Sequence, residues 1–144
     1  MLRELKSTEF TERLEPIFRS VESRLPENLQ GRKATYFFPH WRRLMELGIA
    51  WTWELSEGAV LGMLITPDIF SGIPVAHVPF WFALPGTKGA RQLLDVAEEA
   101  ARKAKCARIS IAAFECLDGD RIADIYRARD YVQTERTFQK GLTL

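Results

Sequence analysis

The run Gly86-Thr87-Lys88-Gly89-Ala90-Arg91 lies between an apolar stretch and the most regular helical pattern in the chain. A glycine-bearing loop that feeds a helix N-terminus leaves backbone N–H groups unpaired, and the helix dipole adds partial positive charge there. Lys88 and Arg91 set two cations beside those groups. The combination suits a phosphate or pyrophosphate. The competing reading is a plain strand-to-helix turn in which glycine supplies unusual dihedral angles. No Gly-Lys-Ser/Thr stands at Walker spacing and Gly-x-Gly-x-x-Gly is absent, so kinase and dehydrogenase readings have no footing.

His77 is the only titratable side chain within residues 73–84. An imidazole, with its ordinary pKa of about 6.5, suits a general base. The other reading of His77 is a histidine bonded to a carbonyl. Glu54, Asp68 and Glu115 are further candidates for the base. Cys116 could be read as a nucleophile, but no histidine stands near it in sequence to activate it. Two cysteines, Cys106 and Cys116, and two histidines, His40 and His77, show no metal-ligand spacing, so no metal is expected. The thiols are expected to be reduced.

The elements that must position these groups follow from periodicity. Residues 2–7 read as a short strand. Phe10, Leu14, Ile17, Phe18, Val21 and Leu25 form a helical stripe, with Pro16 predicting a kink or two short helices. A second helical pattern covers 33–47, broken near its start by Pro39. Residues 49–55 alternate as a strand, with Trp51, Trp53 and Leu55 opposite Ala50, Thr52 and Glu54, and turn through Ser56-Glu57-Gly58 into a partner strand at 59–66. Residues 73–84 are nearly all apolar and read as a central strand. Pro79 inside it cannot donate to a ladder, so a bulge or a parting from one neighbour is expected there. Leu93, Leu94, Ala97, Ala100, Ala101 and Ala104 mark one face of a long helix, whose Glu98 and Glu99 pair forward with Arg102 and Lys103. A strand at 107–114, a short helix at 120–129 and a last long strand at 131–142 complete the chain. The crossover helix requires the strands at 73–84 and 107–114 to run parallel.

The 144 residues suffice for one domain with a real core, and no repeat or linker divides them. Hydrophobic residues at 47% and charged residues at 27% exclude disorder, collagen and coiled coil. Twenty Lys plus Arg against nineteen Asp plus Glu leave a formal charge of +1, which argues against a nucleic-acid scaffold. A local basic patch, Arg32, Lys33, Arg42 and Arg43, reads as a solvated helix face. No signal-peptide pattern opens the chain and no apolar run approaches the length of a membrane helix, so a cytoplasmic protein is expected.

With the elements in this order, the chain resembles the Gcn5-related N-acetyltransferase (GNAT) family over roughly residues 51–142. In that family a central strand leads into an Arg/Gln-x-x-Gly-x-Gly/Ala loop whose amides hold the pyrophosphate of acetyl-coenzyme A. Here Gly89 keeps the central glycine, Gly86 stands in place of Arg or Gln, and Arg91 replaces a small residue; Gln92-Leu93-Leu94 follows as in the family's helix. Ile125-Tyr126-Arg127-Ala128-Arg129-Asp130-Tyr131 is similar to the family's Leu-Tyr-x-x-x-Gly-Phe signature, although Gly119 falls near the place of its usual asparagine.

The resemblance implies an α/β domain with a mixed central sheet of about six or seven strands flanked by helices, spanning residues 1–144. It implies acetyl-coenzyme A as cosubstrate and direct transfer to an amine. Phe82, Ala83 and Leu84 would meet pantetheine where the strands splay beyond Pro79, and Gly86, Thr87, Lys88, Gly89, Ala90 and Arg91 would meet pyrophosphate. Tyr126 would protonate the departing thiolate, and His77 stands near the place where many members carry a glutamate. The other reading of Tyr126 is a helix residue that packs its ring in the core. The expected partners are acetyl-coenzyme A and the amine, with room for a homodimer and with neither nucleic acid nor membrane. Short members with an aromatic at the place of Trp81 look like proteins of phage genomes, so the alternative is a non-catalytic protein of this fold used in protein interaction or phage assembly.

Overall fold

In the computed structural model, which describes residues 1–24, 34–56, 58–113, 118–138, 140 and 142, the chain follows the order read from the sequence up to its last element. It runs β1 (Leu2–Glu4), α1 (Phe10–Glu22), α2 (Ala34–Glu46), β2 (Ala50–Leu55), β3 (Ala59–Pro67), β4 (Pro74–Ala83), α3 (Gln92–Lys103), β5 (Ile109–Ile111) and α4 (Gly119–Ala128). The strands lie side by side in chain order. The first four are antiparallel, and β5 joins β4 in parallel after the α3 crossover, as the connection requires.

Alternation on β2 assigns the two faces. Trp53 and Leu55 join Leu61, Met63, Ala76, Leu93, Ala97 and Tyr126 in one core beneath α3 and α4. Ala50, Val60 and Phe80 join Phe10, Phe18, Phe38 and Trp41 in the other, beneath α1 and α2. Thr52 and Glu54 fall on the second face and are buried, so each needs polar partners. Thr52 Oγ1 accepts from Trp41 Nε1 at 2.9 Å. Glu54 accepts from Arg3 Nε at 2.9 Å and Arg13 Nη2 at 2.7 Å, which fastens β1 and α1 to β2.

Three expectations need correction. Of the two alternatives at Pro16, the division into two short helices is not found: α1 is one continuous element through the proline. Phe10, Leu14, Ile17 and Phe18 are all buried. At about 1.5–3 kcal/mol for each such side chain, they outweigh the roughly 3 kcal/mol that an interior proline costs. Pro39 likewise sits inside an unbroken α2.

The sheet has five strands among the described residues, fewer than the six or seven expected. The difference is the closing strand at 131–142, which forms no strand in its described part. Asp130 takes φ +68°, and Tyr131 N donates back to Tyr126 O, so the chain turns against α4 at that point. Residues 132–138 are then exposed throughout, and they bury nothing to offset the entropy of ordering a strand. The Glu57 position in the β2–β3 turn and the Cys116 and Glu115 positions lie outside the described residues. No helix among the described residues is long and apolar enough to cross a membrane.

Candidate active site

Pro79 reshapes β4. Gly62 faces Phe80 and Leu64 faces His77, so Val78 and Pro79 together oppose Met63 as a bulge, at the residue whose missing N–H predicts one. The extra residue inverts the alternation. Ala76 and Val78 point toward α3 before the bulge, and Trp81 and Ala83 do so after it, while Phe80, Phe82 and Leu84 turn to the α1–α2 face. Gly62 makes room for this arrangement, because a Cβ there would stand 2.2 Å from the Phe80 ring.

The same point ends the pairing with β5. Ala76, His77 and Val78 face Ile109, Ser110 and Ile111, and β4 continues to Ala83 with no strand on that edge among the described residues. Leu84 N donates to Gly58 O on the β3 side at 2.8 Å. Alternation therefore aims the N–H and C=O of Phe82 toward β3 as well, and those of Trp81 and Ala83 toward the open edge. Of Phe82, Ala83 and Leu84, Ala83 presents its backbone to that edge.

The loop that follows leaves its donors outward. Gly86 and Gly89 both take φ +81°, which favours glycine. The Gly89 carbonyl accepts from Gln92 N at 2.9 Å and the Ala90 carbonyl from Leu93 N at 3.2 Å. In a planar trans peptide the N–H opposes the C=O, so the N–H groups of Ala90 and Arg91 point away from the helix. Thr87 behaves differently: its N–H and Oγ1 both donate to Leu84 O, which shapes the turn. Lys88 and Arg91 are exposed and enter no ion pair among the described residues. Each part needed for an anionic ligand is therefore on one edge.

Tyr126 reaches the same region from α4. It is 7% exposed, and its Oη donates to Ala112 O at 3.0 Å, one residue beyond β5. Its ring lies 6.0 Å from that of Trp81 and 5.7 Å from that of Tyr131. Burial, with Tyr131 adding to it, holds the Tyr126 phenol well above its ordinary pKa, so it stays a neutral donor. Burial and the nearby Glu98 push Tyr131 up to about 12.

Arg129, absent from the sequence argument, fixes α4 in this place. Its Nη2 bonds Glu98 Oε2 at 2.6 Å and also Asp95, both on α3. The spacing of Asp95 and Glu98, one helical turn apart on a single face, is the signal that could have revealed it. Glu98 thus answers to α4 more closely than to Arg102, which stands 3.9 Å away.

His77 is on the other face of the sheet from Tyr126, so the structure does not bring the two together. It shares its face with Leu64, its partner on β3, one residue before β4 and β5 part. Its Nδ1 lies 3.2 Å from Ser110 Oγ, which also reaches Ala76 O at 3.5 Å. Ser110 Oγ thus orients the imidazole through Nδ1, and Nε2 is the ring nitrogen without this contact. The other described candidates for the base are committed: Glu54 to Arg3 and Arg13, and Asp68 to Arg108 and Ser71. Chiefly the Arg108 guanidinium, with bonds from Ser71, holds Asp68 down to about 2. A cavity of about 290 Å³ between α1 and the β2–β3 turn is lined by Arg13 and Glu54, which bond each other.

No family model matches the sequence, and no curated protein does either. Solved structures do match the fold. The aminoglycoside 6'-N-acetyltransferase AAC(6')-IG from Acinetobacter haemolyticus aligns with 100% of this chain and 99% of its own at 17% identity and a TM-score of 0.70. An acetyltransferase of Trypanosoma brucei aligns with 99% of each chain at 15% identity and a TM-score of 0.71. AAC(6')-Iy, solved with a bisubstrate analog, CoA-S-monomethyl-acetylneamine, aligns with 100% of this chain and 98% of its own at 13% identity and a TM-score of 0.74. The parted strands, the outward loop and the tyrosine-bearing α4 therefore belong to a chain that has the fold of the GNAT acetyltransferases.

Proposed function

We propose that this protein is an acetyl-coenzyme A-dependent N-acetyltransferase that transfers the acetyl group directly to an amine. One observation carries the reading: among the described residues β4 has no neighbour on its β5 edge after Val78, and that edge leads straight into the outward N–H groups of Ala90 and Arg91. The residues present fit the ligand. Trp81 and Ala83 offer backbone bonds to an extended amide-bearing arm, with Phe82 and Leu84 forming the wall behind them. Gly86, Lys88, Gly89, Ala90 and Arg91 offer amides and cations to a pyrophosphate, and Thr87 shapes the turn. Bound there, acetyl-coenzyme A supplies a thioester acyl group and a thiol leaving group.

The chain's own part is proton handling. His77, at the next-to-last paired position before β4 and β5 part, takes a proton from the acceptor ammonium on the sheet face opposite Tyr126, since the amine must be neutral to attack. Tyr126 Oη holds a proton for the departing sulfur, and its raised pKa keeps that proton in place at neutral pH. No covalent intermediate on the protein is needed, since none of the described side chains is placed as an activated nucleophile.

Calorimetry with coenzyme A tests the reading: heat with one-to-one stoichiometry is expected, and silence at millimolar ligand would overturn it. Tyr126→Phe should slow turnover by roughly 100-fold with nearly unchanged affinity for coenzyme A. An equal loss of affinity would make Tyr126 a packing residue.

A further inference from the structure

Trp81 meets both the loop and Tyr126 from a position that the Pro79 bulge creates. Without the extra residue, position 81 would face α1 and α2. With it, the indole lies on the α3–α4 face, beside the Tyr126 ring. Its Nε1 donates to Ala90 O at 3.1 Å, although nine residues separate the two. The Ala90 carbonyl thus accepts twice, from the first turn of α3 and from the strand behind it.

We propose that Trp81 is a positioning residue whose indole N–H pins the Ala90 carbonyl inward and thereby turns the Arg91 N–H outward to an anionic ligand. The argument is geometric. The Ala90 C=O and the Arg91 N–H belong to one planar trans peptide, so fixing one direction fixes the other. The Leu93 N–H bond alone leaves this peptide free to rock about the helix end, where first-turn bonds fray most readily. The indole bond holds it from the opposite side. Through its ring, Trp81 also sets the loop's distance from Tyr126, whose hydroxyl is tied to Ala112. The identity of the ligand, a pyrophosphate of coenzyme A, rests on the function proposed above; the tether does not.

Trp81→Phe removes the N–H and keeps an aromatic ring, and two measurements read the result. In the ligand-free protein, backbone order parameters at Lys88, Gly89, Ala90 and Arg91 should fall, while those of residues 69–72 at the other end of β4 stay the same. Affinity for coenzyme A should drop about 3- to 10-fold, the worth of one hydrogen bond, while pantetheine, which lacks the pyrophosphate, should bind the variant as it binds wild type. Equal losses for both ligands would make Trp81 a wall of the groove and overturn the proposal. So would unchanged order parameters in the loop. Should the variant not fold, the wild-type protein still decides: a Trp81 indole proton that exchanges with solvent as fast as free indole refutes the tether. If coenzyme A fails to bind wild type, the acetyltransferase reading falls, and the loop dynamics still judge Trp81.

Discussion

At one end of β4, residues 67–74 close on themselves. Asp68 Oδ2 accepts from Phe70 N, Ser71 N and Ser71 Oγ, its other oxygen holds Arg108 at 2.6 Å, and its backbone bonds Ile73 and Gly72. What this loop shows to solvent is apolar: Ile69 is 89% exposed and Phe70 95%. At the other end, residues 84–91 bond through the N–H groups of Leu84 and Thr87 and through several carbonyls, and leave the N–H groups of Ala90 and Arg91 outward beside the Lys88 and Arg91 side chains. Both loops contain glycines at positive φ, so the backbone does not distinguish them. The difference lies in which donors are already satisfied. Exposed donors are met by water until a ligand displaces it, so the outward N–H groups beside two cations are the groups that the proposed coenzyme A site would use.

The comparison breaks most sharply if the charges at the second loop are reversed. Lys88→Glu with Arg91→Glu should weaken coenzyme A by roughly 4- to 1,000-fold, since each exposed ion pair contributes about 0.2–1 kcal/mol, two are lost and reversal doubles the change. Raising the salt concentration should shrink the difference between variant and wild type. A smaller effect separates the loops by their glycines. Gly89→Ala and Gly72→Ala both force alanine to a positive φ, at +81° and +74°, so each should lose about 1–2 kcal/mol of stability in denaturant titrations. Only Gly89→Ala should also weaken coenzyme A, by several-fold, because its peptide carries an outward donor. Equal affinities in the two variants would mean that the conformation of the second loop is not adapted to a ligand.

The sequence made the strand order, the faces of β2, the bulge at Pro79 and the glycine loop before α3 legible because each rests on a local property: period two, a missing N–H, glycine beside a helix start. The unbroken α1 was not legible, since nothing near Pro16 reveals that Phe10, Leu14, Ile17 and Phe18 will all find a core. Arg129 and Trp81 were hidden for a related reason. Their partners, Asp95, Glu98 and the Ala90 carbonyl, are brought near by the crossover and by the bulge's inversion of faces, which spacing along the chain does not encode. The segment at 131–138 misled in the opposite direction. It reads as a closing strand, but such a strand holds only where it buries a face, and no residue from 132 to 138 is buried.

The smallest effect expected comes from the closed loop, and it tests whether the two ends are independent. Asp68 keeps its charge in the folded protein down to about 2, below its ordinary 3.8. A depressed folded pKa means that the carboxylate contributes stability above its unfolded value, and that this contribution is lost as pH falls from 3.8 through about 2. Asp68→Asn removes the charge that Arg108 meets and should lower Tm by a few degrees at pH 7. Its Tm should then decline less steeply than that of wild type across the acid window, because the titrating group is gone. Calorimetry at several pH values would show this, and an equally steep decline would assign the acid loss to another carboxylate. Coenzyme A affinity at pH 7 should be the same in both proteins. The shared strand between the loops runs through the bulge, where the ladders on both sides of β4 are interrupted, so a disturbance at Asp68 has no continuous set of paired strands by which to reach Arg91. A loss of affinity in Asp68→Asn would show that the bulge transmits strain after all.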